Sequence, residues 1–378
     1  MKTNGLSERL VNYDILRILA AYLIVMLHLS VQYINKAPAS VDEYLQWQQA
    51  IKLSTFSRVG VPIFIMLSGA FLLNPNKKVS LNSIFRKYLP KLLLIFMFWS
   101  LFYSLAEQDF WKNVFNIGFS NSFSIIDWND FWIDFVQGHY HMWYLYMLAG
   151  LYLLTPLIKH ISEHASKQQL TYFTLMCLVV TSVTKLNEEL WKLPLLETIM
   201  QKMALSFFFG YIGYFIGGYL ISKYTPCRIT TVIVFALGLL SFKFTYEQTW
   251  LLNPMFGFET PNLVFFSNYS PTVFLMSFAI FLLFAKLGNL KVPLFYKLKE
   301  TLFFKGLKVF ICRLPQYMLV VYLVHPFILV QCRALGILYP TDTAWTLPLN
   351  ALIVYVVSLV IGFILIEAYK LVFRIVRC

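Results

Sequence analysis

The sequence predicts an all-α, polytopic membrane protein of about ten transmembrane helices with both termini cytoplasmic. Three observations carry this. Of 378 residues, 59% are hydrophobic and only 13% charged, about half the charged share of a soluble domain. Mean hydropathy is +0.66. The apolar residues also fall in runs of about 20, the length that crosses a bilayer as a helix. This balance excludes a soluble enzyme, a disordered chain and a nucleic-acid module. The formal charge of +13 sits in loops beside apolar runs, where attraction to anionic lipid accounts for it without nucleic acid. Five cysteines, at 177, 227, 312, 332 and 378, have neither paired nor metal-like spacing and are expected to be free thiols.

In chain order, the expected spans lie near 13–34, 59–74, 88–106, 142–158, 169–185, 203–222, 229–246, 263–285, 315–333 and 346–369. With the N-terminus inside, 22 of the 31 Lys and Arg fall on the cytoplasmic side, against 5 of the 18 Asp and Glu, as the positive-inside bias requires. No repeat, low-complexity tract or linker interrupts the chain, so residues 1–378 are read as one membrane domain. Two connections are longer than packing needs. Residues 107–141, outside, are acidic and rich in aromatics, which suits an interfacial segment or a lid over an outward cavity. Residues 286–313, inside, alternate Lys with Phe and Leu, as a basic stretch lying on the inner leaflet does.

Ionisable residues at membrane depth cost about 2.5–3.5 kcal/mol each on insertion scales and need a partner, a cavity or a task. The first span carries Asp14, Arg17 and His28. Arg17 and His28 are eleven residues apart, almost three helical turns, so they share one face, separated by roughly 16 Å along the axis. Asp14 and Gln32 fall near the same stripe. The second span is expected to open at Ser57-Arg58-Val59-Gly60-Val61-Pro62, with Pro62 harmless in the first turn. Arg58 is then either an anchor at the outer end or a donor to an anion or sugar. Ser68-Gly69 permits close helix packing. At the outer end of the fourth span stand His139, His141 and Trp143. Two histidines two apart on a helix do not face each other, and no third ligand follows, so no metal is expected. His325, in Tyr322-Leu323-Val324-His325-Pro326, lies within the ninth span; alone it reads equally well as an interhelical histidine or as part of a site.

Together these motifs resemble the integral-membrane acyltransferase family 3. The resemblance rests on Tyr13-Asp14-x-x-Arg17 with ten residues to His28, Ser57-Arg58-Val59-x-Val61-Pro62-x-Phe64-x-Met66-x-Ser68-Gly69, Arg86-Lys87-Tyr88 with Pro90, His141-Met142-Trp143 followed by Tyr152-Leu153-x-Thr155-Pro156-Leu157-Ile158, and Tyr322-x-x-His325. The chain is most similar to the surface-polysaccharide O-acetyltransferases, the enterobacterial common antigen enzyme among them. It departs from the pattern at Ile18, where a glycine often follows the arginine.

The resemblance implies about ten spans in the cytoplasmic (inner) membrane and transfer of an acyl group, usually acetyl, from cytoplasmic acetyl-CoA to a hydroxyl of a surface or lipid-linked glycan. Carried over by position, Arg17 and His28 match the family's essential pair, with Asp14 in the same motif; Arg58, His141 and His325 match further polar positions. A buried neutral imidazole can take the proton of the attacking hydroxyl, which assigns general-base chemistry to His28. Arg17, Arg86 and Lys87 lie on the side where the phosphates of CoA need cations. Arg58, His141, Trp143 and His325 fall to the acceptor. The competing reading is a transporter or flippase for a glycan, since intramembrane Arg, His and Asp also build ion pathways; no pair of matching broken helices in two halves supports it.

Overall fold

A chain in hydrocarbon must satisfy its own backbone, and a helix does so within one segment. The computed structural model of the protein is accordingly 84% helical, with no strand among the described residues. It describes residues 11–107, 128–203, 210–224, 226–255, 258, 260–287, 302–339 and 345–376. The main helices are α1 Val11–Ile34, α2 Val41–Ser57, α3 Gly60–Leu72, α4 Leu89–Glu107, α5 Trp128–Gln137, α6 Trp143–His164, α7 Lys167–Leu186, α8 Pro194–Lys202, α9 Ile212–Lys223, α10 Arg228–Leu252, α11 Pro271–Leu287, α12 Leu302–Arg313, α13 Met318–Ala334 and α14 Thr346–Val376.

Eight helical stretches among the described residues are long and apolar enough to cross a membrane. A ninth is added if Val309–Gln316 and α13, bent by 64° at their junction, form one span. Pro315 lies in the short 3-10 turn ahead of that bend, a common cause of such breaks. The span expected near 203–222 is seen as the twelve residues of α9; residues 204–209 lie outside the described residues. So do 108–127 of the acidic connection and 288–301 of the basic one.

One expectation is corrected. The second span does not begin at Val59 with Arg58 at its end. Val41–Leu72 forms one helical stretch of 32 residues, with a turn at residues 58 and 59 between α2 and α3. Arg58 thus stands about 25 Å of helix from the start at Val41. The true start is encoded locally: the Ser40 side chain caps the Glu43 N–H, and Asp42 and Glu43 occupy the first turn, where the helix dipole favours acids.

Contacts divide the chain into two compact units, residues 1–71 with 166–378, and residues 72–165. In the first, α1 is central and packs against α2, α11, α12, α13 and α14. More than half of its residues are buried, and of the rest Ile15 is the most exposed, at 39%. Trp47 Nε1 donates to the Ile34 carbonyl at 3.0 Å, which joins α1 and α2 as an antiparallel hairpin. Tyr22 reaches the Pro348 carbonyl at 3.0 Å and Tyr355 the Ile18 carbonyl at 3.5 Å, so α14 also runs antiparallel to α1. Asn12 donates to the Phe284 carbonyl at 2.7 Å.

Helices α3 and α9 come into backbone contact. A Cβ added at Gly69 would overlap the Phe215 carbonyl, and one at Gly218 would overlap the Met66 carbonyl. Two glycines, each facing the other helix's backbone, remove the side chains that would hold these axes apart. In the second unit, α4 packs on α5 and α6 and is entered through a π-helical stretch, Ile84–Tyr88. There Lys159 of α6, a buried lysine, donates to the Asn74 carbonyl at 2.6 Å and pairs with Glu163 at 3.2 Å.

Gly69→Ala or Gly218→Ala should therefore destabilise the protein by about 1–3 kcal/mol or more through overpacking. Gly150→Ala, in open space on α6, should be neutral or raise stability by about 0.5–1 kcal/mol through helix propensity. Thermal unfolding in detergent reads both; equal effects at all three positions would refute the glycine contact.

Candidate active site

Of the residues expected to act, Asp14, Arg17, His28, Arg58 and His325 lie in the first unit, and Arg86, Lys87, His141 and Trp143 in the second. On α1, Asp14 is buried, while Arg17 and His28 are partly exposed. From Ala20 to Ser30 every residue is buried except Tyr22 and His28, so the helix closes around its apolar positions and leaves the imidazole reachable. Asp14 lies one turn from Arg17 but about 21 Å of helix from His28; the two do not serve one set of reacting atoms. The Arg17 guanidinium stands 5.0 Å from the centroid of the Phe71 ring. Tyr13 meets Phe71 edge-on at 6.1 Å and stacks on Phe281 at 5.4 Å. The cationic end of the stripe is thus held by an aromatic group rather than turned outward.

At the other end, His28 faces α13. Its ring centroid is 5.1 Å from that of His325, with 36° between the planes. One turn further, Arg333 of α13 hydrogen-bonds Gln32 of α1, so the two helices run parallel. His325 is fully buried, and its Nδ1 is 2.7 Å from the Tyr322 carbonyl. The residue expected at the acceptor therefore sits against the expected base.

Arg58 is aligned with the same half of α1. Gly60, two residues on, approaches Ala20 and Ile24, and the guanidinium of Arg58 lies 4.9 Å from the centroid of Phe266. Phe266 belongs to an apolar cluster with Ile34, Trp47 and Ile51. Arg58 Nε is buried and has no hydrogen-bond partner among the described residues. Neither has Ser54 Oγ, one turn before it on α2, although neighbouring Thr55 and Ser57 bond back to the carbonyls of Ile51 and Leu53. A cation and a hydroxyl aligned on one helix face, with capacity left for an anionic or hydroxylic ligand, are what a polar substrate requires.

In the second unit, Arg86 and Lys87 are exposed on the π-helical stretch. Trp143 is 39% exposed at the start of α6. His139 and His141 correct the spacing argument made from the sequence. They stand in a turn rather than a helix, after Gly138 in the left-handed region at φ 71°, and their rings meet. The two Nδ1 atoms are 2.8 Å apart, so one donates and the other must be bare. Tyr103 of α4 stacks on His139 at 4.3 Å and meets His141 edge-on at 5.2 Å. Burial holds the His139 imidazole down at about 4, which keeps it neutral and the bond intact. Among the described residues, no three His, Cys, Asp or Glu come together as a metal would need.

A family model described as an acyltransferase domain matches residues 10–367. The chain belongs to acyltransferase family 3. The match spans both compact units of this acyltransferase and reaches from the start of α1 into α14. No curated protein and no solved structure matches the chain. The acyltransferase is a multi-pass membrane protein by its helices.

Three contributors to the site escape a motif search. Phe71 and Phe266, which hold the two arginines, look like ordinary span aromatics. Ser54 lies in a segment whose mixed polarity hides its helix, and only its position four residues before Arg58 marks it. Pro326 was in view, but its effect shows only once the helix around it is known.

The His139–His141 bond sets a pH dependence. With a folded value below the ordinary 6.5, His139 contributes stability that is complete above about pH 6.5 and is lost as pH falls towards 4. The loss should be no more than about 3 kcal/mol. The melting temperature in detergent should decline across that window, and His139→Phe, which keeps a ring against Tyr103, should flatten the decline. A variant that falls as steeply as the parent would rule His139 out as the cause.

Proposed function

We propose that this acyltransferase moves an acetyl group from acetyl-CoA to a hydroxyl of a cell-surface or lipid-linked glycan at the cytoplasmic membrane, with His28 as general base. The observation that supports this best is the stripe on α1: a partly exposed imidazole and a partly exposed guanidinium on one face of a helix buried at most of its apolar positions. A sugar hydroxyl is a weak nucleophile at neutral pH. A neutral imidazole within reach removes its proton as the oxygen attacks the thioester carbonyl, an effect of about 10²–10⁴-fold. The carbon–sulfur bond then breaks, and the proton held on His28 passes to the departing thiolate. Electrons and protons balance without a further reactant.

Arg17, roughly 16 Å along the helix from His28, binds a phosphate of the donor while the pantetheine arm runs up the stripe. Arg58, with Ser54 beside it, binds the acceptor or the oxygen that gains charge. Asp14 supports the Arg17 end. Exposed Arg86 and Lys87 are suited to phosphate, and Trp143, with His141 two residues before it, to the face of a sugar ring.

The test is transfer by the purified full-length protein in lipid nanodiscs, with labelled acetyl-CoA and a glycan extract from cells lacking the protein. Label should enter the glycan as an ester released by mild base. His28→Ala should lower kcat by about 10²-fold or more. Arg17→Gln should chiefly raise KM for acetyl-CoA, and Arg58→Gln should leave that KM alone while weakening use of the glycan. Full transfer by His28→Ala would end the general-base reading; a wild-type KM in Arg17→Gln would end the donor assignment.

A further inference from the structure

We propose that His325 is a positioning residue for His28, and that Pro326 sets its tautomer. The proposal rests on His28 being the base, and it gives a specific role to His325, which the family motif contains without assigning one.

The argument starts with the proline. Pro326 lies inside α13 and has no N–H, so the helical bond that would end on the carbonyl four residues earlier cannot form. That carbonyl belongs to Tyr322. An orphaned carbonyl in an apolar interior costs about 1–3 kcal/mol. His325 fills the gap from the adjacent position, its Nδ1 being 2.7 Å from the Tyr322 oxygen. A carbonyl oxygen only accepts, so the proton is on Nδ1. In a neutral imidazole the other nitrogen, Nε2, is then an acceptor. With no part of the residue exposed, the ring has little room to turn. The sequence His325-Pro326 therefore does more than bend a helix: the proline frees a carbonyl, and the carbonyl fixes which nitrogen of the preceding histidine keeps its lone pair.

That ring is 5.1 Å, centroid to centroid, from His28. One hydrogen bond or one bridging water spans such a separation. When His28 takes the hydroxyl proton, both of its nitrogens carry hydrogen, and one of them needs an acceptor. His325 offers one whose orientation is settled in advance. In other enzymes a carboxylate orients the base; here the acidic residue of the same helix, Asp14, is about 21 Å of helix away. A neutral imidazole does this without adding a second charge to an apolar interior, where an ion would be costly.

The transfer assay separates this from a merely structural histidine. Pro326→Ala returns an N–H to the Tyr322 carbonyl and competes with Nδ1 for it, so the tautomer is no longer fixed. The melting temperature should stay or rise, because an interior proline is removed, while kcat falls about 10-fold and KM for acetyl-CoA changes less than about 2-fold. Glutamine at 325 places its amide where Nε2 was and asparagine places it where Nδ1 was. His325→Gln should therefore retain about 5-fold or more activity over His325→Asn at equal melting temperature. If His325 only caps the carbonyl, asparagine will match or exceed glutamine and Pro326→Ala will keep the wild-type rate; either result overturns the proposal. His28→Ala, assayed in parallel, distinguishes the two readings. If it is inactive while Pro326→Ala turns over normally, the positioning role fails and the base reading stands. If it is fully active, the base reading fails and takes this proposal with it.

Discussion

The first helix carries polar groups that lipid will not accept, and the first unit is built around that fact. Asp14, Arg17, His28 and Gln32 lie along one side of an apolar run. Any of them facing hydrocarbon would cost several kcal/mol. The chain answers by surrounding α1 with α2, α11, α12, α13 and α14 and by giving the polar positions specific neighbours. Arg17 meets an aromatic ring, His28 another imidazole, and Gln32 an arginine. A helix packed in this way is not free to rotate or to shift by a turn, because each polar group would lose its neighbour.

Much of this could be read from the residues, and the boundary of what could be read has a physical cause. The stripe on α1 was legible because ionisable side chains in an apolar run fall at helical spacing. Ser68-Gly69 announced a close approach, and the approach exists. What periodicity cannot supply is the partner. It says which face of α1 is polar, not that His325, far along the chain, will lie against His28. Helix α2 was missed for a different reason. Val41–Ser57 mixes polar and apolar positions, so no hydropathy run marks it; the Ser40 cap and the acids after it do. His139 and His141 were misjudged because a helical rule was applied to a turn, which Gly138 in the left-handed region signals.

The arginines illustrate how an aromatic ring helps to keep a cation in an apolar setting. Arg17 lies over Phe71 and Arg58 over Phe266. The face of an aromatic ring carries partial negative charge and attracts a guanidinium by about 0.5–2 kcal/mol. Such a contact uses none of the guanidinium's hydrogens; Arg58 Nε is buried and has no hydrogen-bond partner among the described residues. A carboxylate in the same place would bind more strongly and leave less capacity.

The backbone contacts of Gly69 with Phe215 and of Gly218 with Met66 have a mechanical meaning. Helices separated by leucine or phenylalanine can slip, since the side chains between them swap rotamers as they go. Two main chains in direct touch have no such bearing surface. α3 and α9 therefore form a welded joint that transmits force rather than absorbing it. Any flexing that lets a bulky guest in or out has to take place at another seam, and the proline break ahead of α13 is one hinge the chain provides.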